Sequence, residues 1–203
     1  MLFRSMLTGV AGVETVKIDQ GLFTAEDIQR IYSATAALPK GRLWILDTPP
    51  TTIAALERNV RRVFCNAPDD APRIVVVDYA QLMRSTLGPK VNREQQVAEI
   101  ADGLLAIAKR HKCAVIAAAQ LNREFAKRAD KRPVTSDLRE SDRLVQNAHC
   151  VMFVYRPEAY GEDVPDTVCE LIVRKHRGPK GTAKVYHNPR TNEWGKPEQE
   201  YQR

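Results

Sequence analysis

The sequence predicts an α/β fold: a mostly parallel central sheet flanked by helices, with a C-terminal antiparallel hairpin. Three observations carry that prediction. Short runs that are apolar at every position (Leu43–Leu46, Ile74–Val77, Ala114–Ala119 and Val151–Tyr155) read as strands covered on both faces. Segments with apolar residues at helical spacing lie between several of them. Near the end, Val168–His176 and Thr182–His187 form two longer strand-like runs joined by Gly178-Pro179-Lys180-Gly181.

Each element has its own signal. The first forty residues read as two helices separated by Val16–Thr24. Asp47-Thr48-Pro49-Pro50 ends the first strand, and a helix over Thr51–Phe64 follows, with Ile53, Leu56, Val60 and Phe64 on one stripe. Asn66–Pro72 is rich in turn formers. The span Asn92–Lys112 reads as a long helix, because Val97, Ile100, Ala101, Leu104 and Ala108 recur on one side and charges fill the other. A length of 203 residues suits one domain, with residues 1–42 as a helical lead-in and 43–203 as the core of sheet and helices.

Composition narrows the class. Lys and Arg number 31 against 25 Asp and Glu, a formal charge of +6, and residues 168–203 hold 8 basic against 4 acidic groups. The surplus therefore sits at the C-terminal end, where an anionic partner is favoured. The four cysteines have no CxxC or Cys/His ligand spacing, and three lie in apolar strand-like runs, as expected of free thiols in a reducing cytoplasm without zinc or disulfides. No stretch approaches the length of a membrane span, and the apolar start is too short for a signal peptide.

Ligands in such sheets gather at the C-terminal ends of strands. Asp78 directly follows Ile74–Val77; it suits a water-mediated Mg²⁺ contact opposite nucleotide phosphates, or an ordinary loop aspartate. Gln120 follows Ala114–Ala119; its amide suits sensing a γ-phosphate or orienting a water, or simply ends a strand. On the run from Val168, alternation places Cys169, Leu171, Val173, Lys175 and Arg177 on one face. Two cations at a strand tip suit an anion or a solvated turn. Residues 123–143 hold seven basic and five acidic groups with Phe125 as the only aromatic, so any nucleic-acid contact there is with backbone phosphates rather than by base stacking.

The order of segments is more specific than any one of them. IVVVDYAQLM over 74–83, AQLNR over 119–123, RADKRPVTSDLRES over 128–141, VMFVYR over 151–156 and KHRGPKG over 175–181 together resemble the C-terminal motor domain of DnaB-type replicative DNA helicases. The resemblance covers the whole chain and is strongest over 74–181. It implies a RecA-like fold, ATP and Mg²⁺ as cofactors, and a hexameric ring whose neighbouring subunits translocate on single-stranded DNA to unwind duplex during replication. Position by position, it implies that Asp78 is the Walker B aspartate and Gln120 the phosphate sensor. It further implies that Lys175 and Arg177 reach the neighbouring subunit's ATP site, Arg177 as the finger, and that Arg139 and Glu140 contact the DNA backbone. Asp47-Thr48-Pro49 fits the family's strand-loop-helix before Walker B.

The departures are equally definite. Asp142 stands where the family usually has glycine, the turn before Gly178 lacks an asparagine, and His149 replaces a more typical acidic residue. No Gly-x-x-x-x-Gly-Lys-Ser/Thr motif is present, since the only Gly-Lys, Gly195-Lys196, is followed by Pro197. The resemblance places the P-loop and the water-activating glutamate before the point where this chain begins, and the primase-contacting domain outside it as well. The expectation is a truncated motor domain inactive by itself, with a sheet left short of its central strand and poor in stability or prone to association. The alternative is a non-catalytic RecA-like module that binds DNA or docks into a ring.

Overall fold

The computed structural model describes residues 2–38, 41–47, 51–68, 70–88 and 90–196. They form two compact units: one takes residues up to 45, 152–173 and from 180 onward, and the other takes 46–151 and 174–179.

The first unit begins with three helices, α1 (Leu2–Ala11), α2 (Thr15–Gln20) and α3 (Ala25–Ala37). The segment expected to be a break, Val16–Thr24, thus contains most of a short helix. Gly21, at φ 69°, stops it in the left-handed conformation that glycine adopts without strain. Thr24 and Asp27 then form a reciprocal capping box that starts α3, Thr24 Oγ1 accepting from Asp27 N at 3.1 Å and Asp27 Oδ2 from Thr24 N at 3.0 Å. Ala11, Val13 and Ala34 form the small apolar core of this bundle, with Leu7, Ile18 and Ile31 against it.

The same unit holds most of a four-stranded sheet ordered β3-β4-β5-β6: β3 (Val151–Tyr155), β4 (Val168–Lys175), β5 (Gly181–Asn188) and β6 (Glu193–Gly195). The expected hairpin is present, with β4 antiparallel to β5 and Val173 opposite Gly181. A further strand, β6, extends it antiparallel to β5. On β3 the burial alternates, with Val151, Phe153 and Tyr155 inside. On β4 it does not: Cys169, Glu170 and Ile172 are buried while Leu171 is half-buried, so side chains on both faces of this interior strand are covered.

In the second unit, β1 (Ile74–Val77) and β2 (Ala114–Ala117) pair in parallel with Ile74 opposite Ala114. The helices α4 (Ile53–Phe64) and α5 (Arg93–Arg110) supply the crossover and its packing. Thr52 caps α4 by accepting from Ala55 N at 3.3 Å, and Asn92 caps α5 by accepting from Gln95 N at 2.9 Å. Val60, Val75 and Ile107 pack in one cluster, and Ala80, Met83, Ile100 and Leu104 in a second. The expected α5 stripe is buried except at position 108, where Ile107 takes the core place; a period of 3.6 residues shifts the stripe by a fraction of a turn over this length.

Two expectations about strands need correction. Leu43–Leu46 is not a strand: the segment is irregular and exposed, because an apolar run becomes a strand only when another backbone satisfies its N–H and C=O groups. Nor is β1 covered on both faces. Val75 is buried against α4 and α5, but Ile74 and Val76 are 55% and 62% exposed, and Ile116 of β2 is 57% exposed beside them. Among the described residues, helices cover one face of this pair only. The turn residues Thr48-Pro49-Pro50 lie outside the described residues.

Candidate functional site: two strand tips and a basic loop

Parallel pairing sends β1 and β2 out of the sheet side by side, so their C-terminal ends meet. Asp78 leaves β1 exposed, and Gln120 is exposed three residues beyond β2. The backbone ties these exits together: Ala118 N donates to Val77 O and Ala80 N donates to Ala118 O, both at 2.9 Å.

Gln81 makes the second link. Its Nε2 donates to Gln120 O at 3.3 Å, and its Oε1 accepts from Gln120 N at 3.2 Å. One side-chain amide thereby pairs with both backbone groups of the residue whose own amide points outward. Arg93, in the first turn of α5, donates in turn to Gln81 O. Sequence reasoning missed Gln81, whose only local signal is a polar residue in a short helical turn, Ala80–Leu82, between the apolar Ala80 and Met83.

Beyond Gln120 the chain enters the basic segment. Asn122 N donates to Asp137 O at 2.9 Å, which fastens the β2 exit to the turn Thr135–Ser141. Arg128 closes this loop on itself, with Nη1 and Nη2 each 2.8 Å from an oxygen of Asp137 and Nη2 donating also to Arg132 O at 3.1 Å. Asp137 Oδ2 further accepts from Val134 N at 2.8 Å. The carboxylate holds the Arg128 guanidinium still more firmly in its charged form. Arg139 and Glu140 fall within that turn, and their side chains lie outside the described residues.

The cationic tip of β4 separates its two members. Lys175 Nζ donates to Val145 O at 2.7 Å and Gln146 O at 2.9 Å, capping carbonyls at the C-terminal end of α6 (Asp142–Asn147), where a cation is favoured. Arg174 Nε donates to Pro133 O at 3.1 Å. Arg177 is exposed in the turn beyond the strand. The expected spacing of Lys175 and Arg177 along one face therefore translates into one cation anchored within the chain and one presented outward.

Asp142 is exposed at the start of α6. Its neighbour Arg143 is engaged elsewhere, with Nε 2.7 Å and Nη2 3.2 Å from the Asp102 carboxylate of α5, and Asn147 also donates to Asp102 at 2.7 Å. These partners, Arg143 first, hold the Asp102 carboxyl below the usual carboxylate range.

No cluster of three or more His, Cys, Asp or Glu arranged to hold a metal occurs among the described residues. A single exposed carboxylate at a strand tip fits Mg²⁺, which keeps most of its waters and takes one or two protein carboxylates beside phosphate oxygens. No described helix is long and apolar enough to cross a membrane.

Comparisons with known proteins agree on one family. The family model of the DnaB-like helicase C-terminal domain matches residues 1–196. The replicative DNA helicase DnaB of Geobacillus stearothermophilus is 33% identical over 186 residues, covering 91% of this chain and 40% of its own length. Among solved structures, a DnaB-like replicative helicase, described with its interactions with primase, superposes with a TM-score of 0.88 at 28% identity, over 96% of this chain and 48% of that one. A separately solved ATPase domain superposes equally well, with a TM-score of 0.88 at 28% identity, over 96% of this chain and 69% of that one. The chain thus spans well under half the length of the curated relative.

Proposed function

The chain belongs to the DnaB-like helicase C-terminal domain family and has its RecA-like fold, and from that membership we propose that it works as the motor domain of an ATP-dependent replicative DNA helicase in the cytoplasm. One observation supports this reading most directly. The parallel strands β1 and β2 end at the same edge of the sheet, β1 running into a carboxylate, Asp78, and β2, three residues on, into an amide, Gln120, whose backbone is clamped by Gln81. A phosphoryl-transfer site can use both groups: a carboxylate for the hydrated Mg²⁺, and a neutral amide to meet the γ-phosphate or its attacking water. In this reading Asp78 and Gln120 act within the subunit. Arg177 acts on ATP bound by the neighbouring subunit of a ring, where an arginine beside the transferring phosphoryl group counters developing negative charge. Lys175 assists there once released from α6, or else positions the tip that carries Arg177. Arg139 and Glu140, in the turn fastened by Asp137, contact the single-stranded DNA backbone along which the ring translocates. In this reading primase or a loader is a further partner of the assembled helicase.

The chain contains no P-loop motif to cradle β- and γ-phosphates, so the isolated 203 residues are inactive as an ATPase. That same absence favours a second reading, a non-catalytic module that docks into a ring. One experiment separates them. The chain is mixed with a helicase subunit that has a P-loop but lacks its own arginine finger, and phosphate release is followed. Restored hydrolysis that disappears with Arg177→Ala is the expected result. No restoration, or equal restoration by Arg177→Ala, defeats the finger assignment, and turnover by the chain alone that vanishes with Asp78→Ala defeats the claim of inactivity.

A further inference from the structure

Asp137 carries more hydrogen bonds than its surroundings call for. It is only 7% exposed, yet it sits in the segment assigned above to a polyanion. A buried carboxylate in a loop read as phosphate-binding opposes binding by simple charge, so its place there calls for another role. Its oxygens meet the two terminal nitrogens of Arg128 and the backbone N–H of Val134, all at 2.8 Å. Its carbonyl accepts from Asn122 N at 2.9 Å, two residues past Gln120. Arg128 also donates to Arg132 O, inside the same loop. A guanidinium paired bidentately with a carboxylate and a carbonyl presents little of its fork to phosphate.

We propose that the Arg128–Asp137 pair is the frame of the DNA-contacting loop: Arg128 and Asp137 are positioning residues that hold residues 128–141 ready for a nucleic-acid backbone and fasten that loop to the Gln120 strand exit. Arg128, although cationic and within the loop, is on this account not a phosphate ligand. This rests on the DNA-interface reading above.

The test has two arms on the full 203-residue chain. The first uses no DNA. Amide hydrogen exchange is compared for wild type, Arg128→Lys and Asp137→Asn; a lysine keeps the charge but loses the planar fork. Faster exchange at the Asn122 and Val134 amides, with α5 unchanged, is expected in both variants. Unchanged exchange at Asn122 overturns the frame whatever DNA does. The second arm measures anisotropy of a fluorescein-labelled oligo-dT strand at one fixed salt concentration. A loop that keeps its bound conformation about one-tenth of the time binds about tenfold more weakly. That loss is expected for Arg128→Lys, at constant charge, and for Asp137→Asn, although a negative charge is removed. Asp142→Asn, which removes an exposed charge outside the frame, is expected to bind at least as tightly as wild type. If Asp137→Asn tightens binding as Asp142→Asn does, charge alone governs and the positioning role is refuted. If wild type shows no salt-dependent binding while the exchange arm succeeds, the DNA interface fails and the frame stands as structure only, which overturns the proposal. Should Asp137→Asn not fold, Arg128→Lys decides both arms.

Discussion

Replacing Gly103 by alanine sets two effects of opposite sign against each other. Gly103 lies in the interior of α5, where alanine is favoured over glycine by about 1 kcal/mol in an unobstructed helix. The site is not unobstructed. A Cβ at position 103 would stand 2.6 Å from both Cγ1 and Cγ2 of Ile53 and 2.8 Å from its Cδ1, against an optimal carbon–carbon separation of about 3.5–4.0 Å. Both γ-carbons are fixed to one branched Cβ, so turning χ1 moves one away and leaves another; α4 itself has to shift. Ile53 is the first residue of α4 and packs against both apolar clusters of its unit, so that shift loosens contacts on either side. Forcing a methyl group into such a contact costs about 1–3 kcal/mol. The clash exceeds the propensity gain, and Gly103→Ala is expected to destabilise by about 1 kcal/mol.

A double-mutant cycle in urea, followed by circular dichroism, measures the coupling between the two positions. Ile53→Val keeps both γ-carbons and should not relieve the clash, whereas Ile53→Ala removes every contacting atom. On the Ile53→Ala background Gly103→Ala should become stabilising by about 1 kcal/mol, a coupling of about 2 kcal/mol. A stabilising Gly103→Ala in the native background, or coupling below about 0.5 kcal/mol, would mean that α4 and α5 are not packed as described.

Further outcomes follow from named groups. The Asp27 carboxyl is lowered to about 2, first by the Lys17 ammonium 2.9 Å away and then by Thr24. A depressed carboxylate stabilises above its unfolded value and loses that contribution as pH falls through the folded one. The first unit should therefore weaken between roughly pH 4 and 2, and Asp27→Asn should lower stability at pH 7 and flatten that acid limb in thermal melts. The cysteines should separate in thiol labelling. Cys65 and Cys150 are exposed and react first, while Cys169, fully buried with its thiol pushed up by burial, reacts only on unfolding; early labelling of Cys169 would contradict the packing of β4. Gln81→Met keeps the volume and loses both hydrogen bonds to Gln120. Amide hydrogen exchange at Gln120 should quicken, and unchanged exchange there would mean that Gln81 does not hold the β2 exit.

Much of the architecture was legible because its signals are local. The α4 and α5 stripes and the β4–β5 hairpin each follow from spacing within a few residues. The short helix α2 was not legible, because six residues make too little periodicity to rise above the polar residues around it. Leu43–Leu46 misled for the opposite reason: apolar side chains describe what a segment prefers to bury, while strand formation needs a partner backbone that no local pattern reveals. The exposed side chains of Ile74, Val76 and Ile116 make the same point about faces. An unbroken apolar run states that a face is suited to burial, and only the fold says whether described residues bury it.

The motifs, and with them the family, were decided by sequence alone, since residue identity at fixed order needs no coordinates; the match over residues 1–196 agrees. Asp78 and Gln120 were likewise identifiable as strand-exit residues. That the strands carrying them end at the same edge was decided by the parallel register of β1 and β2. The tertiary structure also decided which polar groups act on which. It set Gln81 to clamp Gln120, gave Arg128 to Asp137 rather than to solvent, and turned Lys175 onto the end of α6 while leaving Arg177 exposed. Hydrogen bonds and ion pairs form between groups that folding brings within about 3 Å, and in this chain those partners lie 9 to 39 residues apart, beyond the reach of any local pattern.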